Sequence, residues 1–292
     1  MVGRARLSTK ADLVIAELTT SPAVQIAQRR AAHLAASIYA GRARSLVERS
    51  LYALRTTNAL VFFSGFVEPV FYLIAFGFGV GTLVGGSDLA PDAAGYAAYL
   101  APALLATSAM NGAITDSTWN VFFKMHFDRI YTGMLATSLG PLDVALGEIA
   151  WSLLRGAAYA IGFLVVSWGF GLVSSWTALL AIPAAVVVGF AFAAAGMAAT
   201  SYMKAMQQVQ WLNFWLLPMF LFSGTFYPLT VYPEWLARAM QALPLWHAIE
   251  LVRGAMAGRL DFALAGHLLY FAVFIVVGMW LTTRRLTELF LR

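Results

Sequence analysis

Four polar side chains fall inside long apolar runs, where charge is hardest to hide. Glu68 sits about nine residues into the first run, roughly 14 Å deep at 1.5 Å per residue. Arg155 sits about eight residues into the third, counted from the same face. Either charge alone in a bilayer costs at least about 2.5–3.5 kcal/mol on insertion scales. The two are therefore expected to pair, or to share an intramembrane polar network with Asn111 or Asp116 of the second run. Two chemistries fit: a coupling-ion site, or a structural arrangement with a packing ion pair or an Arg155 that snorkels to the interface.

A second set stands near the other face. Glu250 and Arg253 are three residues apart, and His247 precedes Glu250 by three, so a helix brings all of them to one side. One His and one carboxylate are too few ligands for zinc, and the set reads as a polar network at an outer gate. His126 and His267 stand without a cluster and read as structural or interfacial. The chain has no cysteine, which excludes disulfides, thiolate metal sites and thiol nucleophiles. It has no G-x-x-x-x-G-K-[S/T] loop to cradle phosphates. The glycines of Gly77-Phe78-Gly79-Val80-Gly81 lie within an apolar run, where helix packing explains them better than nucleotide binding. Acids are scattered, which argues against a membrane enzyme binding a metal–diphosphate. No catalytic, cofactor-binding or metal-ligating residue is assigned.

The elements that must position these groups follow from composition. Of 292 residues, 61% are hydrophobic and 11% charged, against about 25% charged in soluble domains. This composition belongs to an all-α integral membrane protein. Six transmembrane helices are expected at about 59–83, 96–118, 147–170, 177–200, 209–226 and 262–283. Residues 1–40 read as a cytoplasmic tail without the apolar core of a signal peptide. Residues 41–57 read as a basic amphipathic helix in the headgroup plane, with Val47, Leu51 and Leu54 on one face and Arg42, Arg44, Arg49 and Arg55 on the other. The transmembrane domain then occupies 58–292. The net charge of +5 is a matter of topology rather than of nucleic-acid binding. With both termini cytoplasmic, fifteen Lys and Arg fall inside and Arg238, Arg253 and Arg259 outside.

Two interruptions stand out. The connector 121–148 is the one sizeable cytoplasmic excursion between spans; Phe123, Phe127, Ile130 and Met134 fall at helical spacing, with Lys124, Asp128 and Arg129 among them. A short amphipathic helix of this kind suits docking into a partner groove. Further on, the apolar run breaks at Ser223-Gly224-Thr225 and two short apolar pieces follow, about 233–243 and 245–257. Each is about 16–20 Å long as helix, too short for a hydrocarbon core of about 30 Å. They are expected to form an extracytoplasmic re-entrant hairpin packed against protein before the last span. Trp211, Asn213, Phe214, Trp215, Met219 and Phe222 on span five are candidates for a substrate path, since Met and aromatic side chains accommodate varied apolar ligands.

Three of these segments carry a resemblance. Phe-Ser-Gly-Thr-Phe-Tyr-Pro (222–228), Pro-Glu-Trp-Leu (233–236) and Leu-Pro-Leu-Trp-His-Ala-Ile-Glu-Leu-Val-Arg-Gly (243–254) resemble the carboxy-terminal signature of type-2 permeases of ATP-binding-cassette exporters. They are most similar to the nodulation lipo-oligosaccharide exporter branch. The connector is similar too, with Met-Leu-Ala-Thr (134–137), Pro-Leu-Asp (141–143) and Gly-Glu (147–148), although Ser138 stands where proline is frequent. The resemblance implies that the connector helix couples to a separate nucleotide-binding ATPase subunit, present in two copies, which would bind ATP and Mg. It implies a second permease subunit, making a homo- or heterodimer, and outward transport of an amphipathic substrate across the plasma membrane: a lipo-oligosaccharide, a lipid-linked glycan or a hydrophobic drug. The chain itself is then no enzyme and binds no cofactor or nucleic acid, only membrane lipid around it. The alternative is an ion-coupled secondary transporter, for which Glu68 would be the residue of interest.

Overall fold

The computed structural model describes residues 41–54, 67–84, 92–128, 130–135, 137, 139–173, 175–259 and 261–290. The tail 1–40, the expected start of span one and Arg129 lie outside the described residues. Every element among those described is helical. In chain order they are α1 (Ala43–Leu54), α2 (Val67–Leu83), α3 (Ala93–His126), α4 (Ile130–Leu135), α5 (Pro141–Gly169), α6 (Trp176–Tyr202), α7 (Met206–Phe222), α8 (Glu234–Gln241), α9 (Pro244–Met256) and α10 (Phe262–Phe290).

Four of these, α3, α5, α6 and α10, are long and apolar enough to cross a membrane. Helix α2 is a shorter apolar helix that adjoins undescribed residues. Helix α7 has 17 residues and stops at Phe222, short of the expected 226. Gly224, at φ +76°, adopts a left-handed conformation that no helix continues. Two hydroxyls close the end: Ser223 donates to the Met219 carbonyl at 2.5 Å and Thr225 to that of Phe220 at 2.8 Å.

Helix α6 forms the centre, packed on α3, α5, α9 and α10. Its buried face is mostly alanine, including Ala185, Ala191, Ala193 and Ala194. Small side chains let backbones approach where no hydrophobic effect drives helices together. At the crossing with α10, a Cβ on Gly278 would lie 2.9 Å from the Ala194 carbonyl carbon. The glycine run in α2 works the same way at two of its three positions. Gly77 and Gly81 face Ala97 and Ala93 of α3 closely, while Gly79 faces open space.

Helix α3 is 34 residues long, about 50 Å, and so outruns a hydrocarbon core of about 30 Å. It widens to π-helix at Asp116–Asn120 before its last turns, Val121–His126. Helix α1 lies against the first part of α5, with Leu46 seated on Gly147, where a Cβ would come within 2.7 Å. Leu46 is the buried anchor of this helix, while Leu51, expected on the apolar face, stays exposed.

Candidate functional site: a polar cavity between four helices

A cavity of about 680 Å³ opens between α2, α3, α5 and α7. Helix α3 contributes Ser108, Asn111, Asp116 and Asn120; α5 contributes Arg155 and Tyr159; α2 contributes Glu68 and Tyr72. Helix α7 supplies the apolar wall of Leu216, Leu217 and Phe220. One side is thus rich in hydroxyl, amide and charged groups, and the other is hydrocarbon.

All four residues of the expected intramembrane network line this cavity. Their pairing differs from the first expectation: Arg155 Nη2 contacts Asp116 Oδ1, not Glu68. The same Asp116 oxygen accepts from Asn120 Nδ2 at 2.9 Å. Asp116 is buried and Arg155 largely so, which lets the ion pair act at low local dielectric. The π-helical stretch begins at Asp116. Such widenings cluster at functional sites, and nothing in the local sequence announces this one.

The residues proposed from sequence for the substrate path sit elsewhere on α7. Trp211, Phe214, Trp215 and Phe222 are exposed on the outer surface, and Met219 packs against the core. The side chain of Asn213 lies outside the described residues. The cavity wall is made by Leu216, Leu217 and Phe220 instead, a choice set by how α7 rotates against its neighbours.

The connector is not one continuous helix. Helix α3 ends at His126, Phe127 caps it, and α4 restarts at Ile130. The break moves the apolar residues onto different surfaces. The Phe123 and Phe127 rings meet at 5.2 Å, tilted by 36°, and are exposed, as is Asp128. Ile130 is half-buried and Met134 buried. Lys124 Nζ reaches Glu148 Oε2 of α5 at 2.6 Å and ties the end of α3 to the start of the next span. Between them lies Tyr131, fully buried; burial, and the Glu148 carboxylate beside it, hold its phenol well above the usual range. The Phe123–Phe127 pair is an exposed apolar patch on this connector.

At the opposite end, His247, Glu250 and Arg253 all lie on α9. Arg253 Nη1 pairs with Glu250 Oε1 at 2.5 Å. Its guanidinium also lies 4.5 Å from the centre of the Tyr99 ring, and Nη2 reaches the Gly224 carbonyl at 3.4 Å. Tyr99 donates to the same carbonyl at 3.2 Å. This node joins α3, the α7 break and α9. His247 takes no part in it. Its Nδ1 lies 2.7 Å from Nδ1 of His267 on α10, and its ring stacks on Tyr270 at 3.9 Å. His267, expected to stand alone, is thus half of a pair that sequence spacing could not reveal. Among the described residues, no group of three or more His, Asp or Glu could hold a metal ion.

Helices α8 and α9 have 8 and 13 residues. Helix α8 is largely exposed, whereas α9 buries Leu245, Ile249, Leu251 and Val252 against α3, α6 and α10. Helix α9 ends on Gly258, at φ +68°, against Thr177 of α6.

Comparisons with known proteins agree with this architecture. The chain is 32% identical to Nodulation protein J of Sinorhizobium fredii, over 74% of this chain and 81% of that protein. It is 31% identical to Nodulation protein J of Rhizobium leguminosarum bv. trifolii, over 77% and 85%. Against the protein of that name from Rhizobium leguminosarum bv. viciae it is 31% identical, over 77% and 86%. The family model described as ABC-2 type transporter matches residues 42–257, from α1 to the end of α9. The chain is a multi-pass membrane permease and belongs to the ABC-2 type transporter family.

Proposed function

We propose that this chain is the membrane permease subunit of an ATP-driven exporter that moves an amphipathic substrate outward across the plasma membrane. The observation that carries the reading is the cavity, with hydroxyl, amide and charged groups on α2, α3 and α5 facing an apolar wall on α7. A molecule with a polar head and a hydrocarbon tail matches both sides. The substrate class implied by the resemblance, a lipo-oligosaccharide or lipid-linked glycan, has that character, and a hydrophobic drug shares its apolar part.

In this reading the chain crosses the membrane six times with both termini in the cytoplasm, α2 and α7 being the first and fifth spans. Helices α8 and α9 form the extracytoplasmic re-entrant hairpin, their length ruling out a crossing. The exposed Phe123–Phe127 pair, with Lys124 and Asp128 beside it and Arg129 next in sequence, docks into a separate ATPase subunit, while Ile130 and Met134 hold the connector to the bundle. Two ATPase copies bind ATP and Mg, and a second permease subunit, the same chain or a close partner, completes the path. Arg253, Glu250 and Tyr99 hold the outer end closed through the Gly224 carbonyl.

The test is accumulation of a fluorescent glycolipid in inside-out vesicles carrying the complex. Accumulation should require ATP and persist when proton and sodium gradients are collapsed. Accumulation that follows an ion gradient without ATP would overturn the reading in favour of an ion-coupled transporter.

A further inference from the structure

We propose that the cavity selects its cargo by charge, accepting uncharged or cationic polar head groups and turning away phosphorylated ones. The inference rests on reading the cavity as the substrate's path.

The charged groups in its described lining are Glu68, Asp116 and Arg155. The charge of Arg155 is balanced by the Asp116 carboxylate in contact with it, so this pair contributes no net positive charge to the described lining. Asp116 in turn is held by Asn120 as well as Arg155. Glu68 adds a carboxylate with no cation opposite it in that lining, which leaves the formal charge at minus one. The other polar groups of the lining are neutral and suited to hydroxyl and amide groups, among them Ser108, Asn111 and Thr115.

A phosphate head binds through arginine forks, lysine ammonium groups or clustered backbone N–H groups. Here an incoming phosphate would find the Arg155 charge already balanced by Asp116, would compete with that buried carboxylate for the guanidinium, and would enter a cavity that Glu68 also lines. A glycosyl head meets none of these costs, and an ammonium head gains from Glu68. Discrimination against phosphate of at least about tenfold is expected from one like charge at such range.

The experiment uses the full chain in phosphatidylcholine nanodiscs and competition against a fluorescent dodecyl glycoside. The competitors share a dodecyl tail and differ in the head: maltoside, trimethylammonium or phosphate. Maltoside and trimethylammonium should compete at least about tenfold better than phosphate. Glu68→Gln should narrow the gap between trimethylammonium and phosphate to within about threefold, and Glu68→Lys should invert it. Equal or better competition by the phosphate in the unaltered chain would overturn charge selection, as would a gap between trimethylammonium and phosphate that Glu68→Gln leaves at about tenfold or more. A third variant separates this from failure of the underlying reading. Gly112 lines the cavity, and a Cβ there meets nothing within 4 Å, so Gly112→Phe places a ring in the space. If Gly112→Phe abolishes probe binding but the heads compete equally, charge selection alone falls. If probe binding survives Gly112→Phe, the cavity is not the site, and both readings fall together.

Discussion

The backbone N–H of Arg42 donates to Asp143 Oδ1 at 2.9 Å, across 101 positions of sequence. The other carboxylate oxygen accepts from the Gly140 N–H at 2.9 Å, at the first turn of α5. Asp143 is fully buried, so this one side chain fixes the start of α1 to the start of α5. Leu46 on Gly147 continues the contact one turn along. Helix α1 and the start of α5 are thereby held together.

Asp143→Ala removes the acceptor of the buried Gly140 N–H and of the part-buried Arg42 N–H, and hydrogen bonds to a charged group contribute about 1.5–3 kcal/mol each. A loss of about 2–4 kcal/mol is expected, with Asp143→Asn intermediate. Thermal unfolding in detergent measures the loss, and trypsin should cut faster at Arg44 and Arg49. An unchanged melting temperature with an unchanged digestion rate would contradict the anchoring role.

Asp116 and Arg155 give a non-additive prediction. Removing one partner strands a buried charge, at a cost of about 3–5 kcal/mol. Asp116→Asn and Arg155→Met should each lower the melting temperature markedly. The double variant should be more stable than either single variant, since no charge is then left alone. Additive losses in this double-mutant cycle would show that the two groups act independently.

Much of this site was legible in the sequence, because the cost of burying charge restricts where partners can be. Glu68, Asn111, Asp116 and Arg155 were expected to share a network, and they line one cavity. Which of them pair was not legible, since depth along a helix is read from sequence but rotation about it is not. The same limit hid Lys124–Glu148 and His247–His267, whose members lie on different helices. It also put the cavity wall on Leu216, Leu217 and Phe220 where composition drew attention to tryptophans. The end of α7 was legible because Gly224 marks it locally. The break between Phe127 and Ile130 was not, because His126-Phe127-Asp128 contains neither glycine nor proline.

Two glycines of α10 should respond in opposite directions to the same substitution. Gly278 meets the backbone of Ala194 and Ala195, so Gly278→Ala forces α6 and α10 apart and should cost about 1–3 kcal/mol. Gly266 faces open space, so Gly266→Ala should be neutral or gain up to about 1 kcal/mol through helix propensity. Paired melting curves decide the matter. Equal responses would mean that the α6–α10 crossing is looser than these distances require.

The central claim is that this permease works through a separate ATPase. The most direct test is to capture the detergent-solubilised chain from its native membrane and identify what accompanies it. A soluble nucleotide-binding ATPase should co-purify with the chain. It should be lost, or reduced at least about tenfold, when Phe123 and Phe127 are both replaced by alanine, since they form the exposed apolar pair of the connector. The Gly266→Ala chain should retain it. A chain that emerges without an ATPase, under conditions that keep a control complex together, would contradict the claim and turn attention to Glu68 as an ion-coupling residue.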